Sequence, residues 1–167
     1  MQQVALLRPN GSIIVEEAPS SRSAMHDYLP IVDRDGFYTC TSGGLGHGLP
    51  AAIGIALARP RAKVIALLGD GSSMYAIQGL WTAAQLKLGV TFVIIKNRRY
   101  EALVNFGRHF GLQRTVGTSL PDIDFCALAR GQGVEAIAVD RCEAFDEALR
   151  TAFANLTRPT LVEVAVD

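Results

Sequence analysis

Short apolar runs alternate along this chain with longer stretches whose apolar positions return every three or four residues. The runs fall at 12–15, 36–40, 64–68, 92–95, 134–139 and 160–166 and, apart from 36–40, are rich in Val, Ile and Leu. Their near-continuous apolar character predicts strands buried on both faces, as in a parallel sheet. The stretches at 4–7, 24–29, 49–58, 74–88, 100–110, 124–130 and 143–156 predict helices. In the 74–88 stretch, Met74, Ile77, Leu80, Trp81, Ala84 and Leu88 recur at helical spacing, and Gly89 is placed to stop the helix. Pro50 suits the first turn of the 49–58 helix, which Arg59-Pro60 closes. Strands alternating with helices predict an α/β fold: a three-layer, doubly wound and mostly parallel sheet with helices on both faces. Such sheets bind ligands beyond the carboxyl ends of their strands, where strand order reverses.

Composition narrows the picture. The 167 residues suffice for a single sizeable core, so one domain spanning 1–167 is expected. Lys plus Arg equals Asp plus Glu at 16 each, so no net field favours nucleic acid or an anionic membrane. The apolar runs are too short for a membrane-spanning helix, and residues 1–10 lack a secretory pattern. Cys40, Cys126 and Cys142 show no CxxC spacing and read as reduced thiols of a cytoplasmic protein. The helical run at 4–7 has no preceding cap, so the chain is expected to be a piece of a longer protein or a separate subunit. The apolar surface left by a missing part predicts a homo-oligomer.

The candidate chemistry lies at 69–100. The strand at 64–68 delivers Gly69-Asp70-Gly71 to its end, and the strand at 92–95 delivers Lys96-Asn97. An anionic oxygen from Asp70 and a neutral amide oxygen from Asn97, with a backbone carbonyl, suit Mg²⁺ or Ca²⁺ and not zinc. Gly69 and Gly71 let a phosphate approach the backbone, and Ser72 or Ser73 can cap the following helix or donate to that phosphate. The P-loop pattern is absent. A dinucleotide fingerprint would need a small residue where Met74 or Leu49 stands.

Gly69-Asp70-Gly71, 24 residues and then Lys96-Asn97 resembles the signature of thiamine-diphosphate-dependent enzymes. Within that family the chain is most similar to the benzoylformate decarboxylases, through the segments at 41–46, 49–54, 69–72, 80–85 and 100–103. The acetolactate synthases are similar but more distant. The resemblance implies the thiamine diphosphate-binding fold, with thiamine diphosphate and Mg²⁺ as cofactors. It implies that Asp70, Asn97 and the backbone carbonyl of Arg99 bind the metal. Gly69, Gly71, Ser72, Tyr100 and Ser20 would hold the diphosphate. Gly43 would offer its carbonyl to the aminopyrimidine, and Leu45 would be the wedge that bends the cofactor. Phe106 matches a substrate-pocket aromatic.

Four departures stand out. Lys96 replaces the first Asn of the family's pair. Arg98-Arg99 replaces small residues, commonly a glycine first, and a left-handed requirement there predicts a slightly different loop. Pro19 replaces a phosphate-binding hydroxyl, which leaves Ser20 or Ser21. His47 beside the wedge loop replaces a large apolar residue. The glutamate that activates this cofactor belongs, in the family, to another domain; Glu16 and Glu17 read as loop-positioning residues. The resemblance therefore implies the diphosphate half of a 2-oxo acid decarboxylase, with no catalytic residue of its own. Its partner would be a pyrimidine-binding domain or subunit. A carboligase of the acetolactate synthase kind and a non-enzymatic, flavodoxin-like metal or nucleotide module are the alternatives.

Overall fold

The computed structural model describes residues 1–166. Its strands are β1 (Ile13–Glu17), β2 (Phe37–Thr39), β3 (Val64–Gly69), β4 (Val90–Lys96), β5 (Glu135–Val139) and β6 (Thr160–Ala165). Its helices are α1 (Gln2–Leu7), α2 (Arg22–Tyr28), α3 (Gly48–Ala58), α4 (Asp70–Ser73), α5 (Gly79–Gln85), α6 (Glu101–His109), α7 (Phe125–Gly131) and α8 (Cys142–Ala154). All strand pairs are parallel, in the order β2-β1-β3-β4-β6-β5. This differs from the flavodoxin-like order 2-1-3-4-5, because β6 inserts between β4 and β5. Strand order reverses between β1 and β3.

The sheet is buried on both faces, which explains the uninterrupted apolar runs. Ile13, Val15, Ala66, Leu68, Phe92 and Ile94 meet α3, α5 and α7 on one side. The alternating positions Ile14, Ile65, Leu67 and Val93 meet α1, α2 and α8 on the other. Three layers result. Helix α6 belongs to neither outer layer: only Gly107 is buried in it, while Leu103 and Phe106 are exposed.

The register of β3 on β4 runs from Val64–Val90 to Gly69–Ile95. Asp70 and Asn97 therefore leave neighbouring strands at nearly one level, just beyond the carboxyl edge.

The helix expected over 74–88 is corrected. A single turn, α4, begins at Asp70 itself; residues 74–78 form successive turns, and α5 covers only Gly79–Gln85. Leu80 and Ala83 are buried, but Met74 and Trp81 are exposed, so the apolar face read from spacing does not exist as one stripe. Gly89 is not the stop either. Lys87 takes the left-handed position (φ 52°), with the Lys87 and Leu88 amides donating to the Ala84 and Ala83 carbonyls. A side chain at Gly89 would instead meet the backbone of Leu156, with its Cβ 2.6 Å from the Leu156 carbonyl carbon.

Lys63 is buried ahead of β3, and its ammonium donates to the carbonyls of Ala152 (2.8 Å) and Asn155 (2.7 Å) at the end of α8. Burial lowers its pKa from 10.5 to about 8. The folded chain thus holds this proton less tightly than the unfolded chain. Between about 8 and 10.5 the unfolded state binds more protons, so this group makes stability rise with pH. Lys63→Met should remove that rise from urea-denaturation free energies measured over the window. An identical slope in the variant would contradict the assignment.

Candidate cofactor site

Beyond the carboxyl edge, at the reversal between β1 and β3, lies a cavity of about 630 Å³. Four connections build it: the turn after β1, the glycine-rich loop after β2, α4 after β3, and the segment after β4. Every expected site residue except Asn97 lines it, namely Ser20, Gly43, Leu45, Gly69, Asp70, Gly71, Ser72, Arg99, Tyr100 and Phe106. Glu16, Glu17, Arg22, Cys40 and Tyr75 line it as well.

Asp70 is the chemical centre. It is 3% exposed, and burial raises the pKa of its carboxyl. Backbone amides oppose that shift, first among them Gly71 N–H, which donates to Oδ1 at 2.8 Å, and Arg98 N–H, which donates to Oδ2 at 2.6 Å. A desolvated carboxylate satisfied only by amides is a hard-cation ligand by donor type. Asn97 stands beside the cavity, its Oδ1 accepting from the Arg99 amide at 3.2 Å. The Arg99 carbonyl accepts from Glu101 N–H at 3.0 Å.

Arg98 adopts φ 60°, so the loop keeps the left-handed conformation and the expected loop change does not occur. Its amide is held by Asp70, and its carbonyl accepts from Leu120 at 2.8 Å. Arg99 bridges Ser119, and the Tyr100 amide donates to Thr118, so the 112–120 loop is zipped onto this turn. A left-handed arginine is strained by roughly 1–2 kcal/mol, of which glycine's extra chain entropy takes back about half. Arg98→Gly should therefore raise unfolding free energy by about 0.5–1 kcal/mol, and Arg98→Val should lower it. Denaturant titrations check both signs; a destabilised glycine variant would contradict the strain.

The floor is Gly71. A Cβ there would lie 2.6 Å from Cδ1 of Tyr100, whose ring covers it. Burial, the neighbouring Tyr75 hydroxyl and the Asp70 charge raise the pKa of Tyr100. Ser72 is buried against the cavity, and Ser73 donates to the Gly69 carbonyl at 2.7 Å. Across the cavity Pro19–Ser21 forms a 3₁₀ turn that leaves Ser20 exposed at the wall.

Two of the other departures, Lys96 and Arg99, find ionic partners. Lys96 pairs with Glu163 of β6 at 2.9 Å, both largely shielded, and the other Glu163 oxygen accepts from Phe125 N–H. Arg99 pairs with Glu101 at the cavity wall. His47 is an exposed residue preceding α3 and does not line the cavity.

Both β1 carboxylates are engaged. Glu16 (1% exposed) accepts from Ala18 N–H, from Thr39 Oγ1 at 2.8 Å, and from Arg22 at 2.9 Å. Glu17 accepts from the amides of Gly46 and Gly48. Arg22 and Tyr75 carried no sequence signal: the first reads as part of a polar loop before the 24–29 helix although it opens α2, the second lies in a stretch that reads as one unbroken helix.

Residues 19–164 match the family described as thiamine pyrophosphate enzyme, C-terminal TPP binding domain. The chain belongs to this family. Among curated relatives of this TPP-binding domain, the benzoylformate decarboxylase of Pseudomonas aeruginosa is 41% identical over 158 residues, 95% of this chain and 30% of that protein. The acetolactate synthase isozyme 1 large subunit of Escherichia coli is 37% identical over 76% of this chain and 23% of its own length. Among solved structures, the Rhodococcus jostii RHA1 thiamine diphosphate-dependent 4-hydroxybenzoylformate decarboxylase superposes with TM-score 0.96 at 40% identity, over 99% of this chain and 31% of that one. The benzoylformate decarboxylase of Polynucleobacter necessarius gives 0.96 at 31% identity, over 99% and 32%. This TPP-binding domain thus spans about 30% of such relatives. The flavodoxin-like alternative falls with the family match and the strand order.

Proposed function

We propose that this chain binds thiamine diphosphate with Mg²⁺ as the diphosphate-side domain of a 2-oxo acid decarboxylase of the benzoylformate decarboxylase kind. One observation carries the reading: a buried carboxylate, Asp70, at the end of β3 meets the 97–99 turn of β4 above a glycine floor.

The residues fit the group. Asp70, Asn97 and the Arg99 carbonyl are the metal ligands. Gly69, Gly71, Ser72, Tyr100 and Ser20 surround the diphosphate. Gly43 faces the aminopyrimidine, Leu45 is the wedge, and Phe106 at the mouth contacts substrate. Bound thiamine diphosphate supplies the electron sink for decarboxylation. Glu16 and Glu17 hold backbone amides and Arg22, so neither is free to activate the pyrimidine. Activation falls to a pyrimidine-binding domain or subunit, and the chain alone turns over no 2-oxo acid. That partner, within a cytoplasmic homo-oligomer, covers the apolar rim of Tyr75, Leu103 and Phe106, each at least half exposed.

A carboligase of the acetolactate synthase kind is the second reading, supported by the 37% identity of the Escherichia coli relative over a smaller share of the chain. Thermal unfolding tests the ligand. Thiamine diphosphate with Mg²⁺ should raise the midpoint, and ATP with Mg²⁺ should not. Equal shifts for both would overturn the proposal.

A further inference from the structure

Glu17 closes β1 at 4% exposure, and its two oxygens are divided between two amides of one loop. Oε1 accepts from Gly46 N–H at 2.5 Å, and Oε2 accepts from Gly48 N–H. Glu17 is 29 and 31 positions away from these two amides in sequence, so the contact is a tertiary clamp and not a local turn. The approach is close: a Cβ on Gly48 would lie 2.7 Å from the Glu17 Cβ. Gly46 takes φ 91° and packs against Tyr75, which limits that position to glycine.

The clamped loop carries Gly43 and Leu45. The loop is otherwise lightly held: Gly43 N–H reaches Cys40 and Gly44 N–H reaches Ser42, both local bonds. Residues 41–44 are exposed, and Leu45 is half-buried. Glu17 is thus the tie between the wedge segment and the rigid sheet.

We infer that Glu17 is a positioning residue for the pyrimidine-side wedge: its carboxylate sets the height of Leu45 and Gly43 in the cavity, while the diphosphate side is built without it. The inference rests on the thiamine diphosphate reading and divides the site into two halves with separate supports. Asp70 and the turn after β4 serve the phosphates; Glu17 serves the ring end. Glutamine cannot replace it, because one amide would face an NH₂ donor in place of an acceptor. A buried N–H left without an acceptor is costly, and the loop must be reordered on binding.

The test compares two probes on the full chain by calorimetry with Mg²⁺: thiamine diphosphate, and inorganic pyrophosphate, which has no ring end. Glu17→Gln should weaken thiamine diphosphate by at least about tenfold and leave pyrophosphate within about twofold. Leu45→Ala should show the same selectivity. The double variant should lose little more than either single one, since both act through one loop. Equal losses for both probes, or additive losses in the double variant, would make Glu17 a general fold residue and overturn the inference. Unchanged binding of both probes would overturn it too. Failure of the wild-type chain to bind thiamine diphosphate would instead strike the underlying reading. Should Glu17→Gln not fold, amide exchange in the wild-type chain decides. Gly46 and Gly48 must be protected relative to Gly44, and exchange as fast as Gly44 would refute the clamp.

Discussion

Asp70→Ala should lower the affinity for thiamine diphosphate in the presence of Mg²⁺ by at least about a hundredfold. Removing one partner of a buried charge pair costs about 3–5 kcal/mol, and each 1.4 kcal/mol is tenfold. Two losses coincide at this residue. The hard anionic oxygen goes, and the amides of Gly71 and Arg98 lose their acceptor, so the strained turn after β4 loses its anchor. Asp70→Asn separates them: its amide oxygen still serves one of those N–H groups, but the charge is gone. Equilibrium dialysis should show both variants deficient with Mg²⁺ present, with the asparagine variant closer to wild type in thermal unfolding. Wild-type affinity in either would move the metal away from Asp70.

Gly71→Ala carries the second large effect. The methyl group would be driven into the Tyr100 ring, and both lie on buried or half-buried backbone with little room to yield. Overpacking of this kind costs about 1–3 kcal/mol. The cost also reaches the site, because Tyr100 is joined through its amide to Thr118 and stands beside Tyr75 and Asp70. Thiamine diphosphate affinity should fall at least about tenfold. Tyr100→Leu in the same chain should recover part of the lost stability, since the clash is with the ring, and the coupling is read from a double-mutant cycle. Additive effects would show that the ring and the glycine floor do not interact.

The strands were legible because each is short and mostly apolar, with the central β1, β3 and β4 almost wholly buried, and the order of alternation implied the layers. The placement of Asp70 and Asn97 at neighbouring strand ends was legible because a strand end is easy to mark in sequence, and parallel pairing then brings two such ends level. The break at 74–78 was hidden because Met74, Ile77 and Leu80 keep helical spacing through turns that are not helical. Lys87 and Arg98 took left-handed positions that residue type argues against, each held by hydrogen bonds from residues that composition does not reveal. Lys96 read as a lost asparagine, but it pairs with Glu163, which lies 67 positions away and meets it only across β4 and β6. Glu16 and Glu17 read as loop-positioning residues, and they are, but which loops they hold depends on the tertiary return of α3 and β2 to β1. Local chemistry is written in the sequence; long-range hydrogen bonds across the sheet edge are not.

Asp70 and the 97–99 turn would hold thiamine diphosphate through Mg²⁺, as proposed, and titration of the wild-type chain with thiamine diphosphate in Mg²⁺ or in EDTA tests this most directly. The predicted result is one site per chain in Mg²⁺, with binding at least about a hundredfold weaker in EDTA. Equal affinity in both would contradict it.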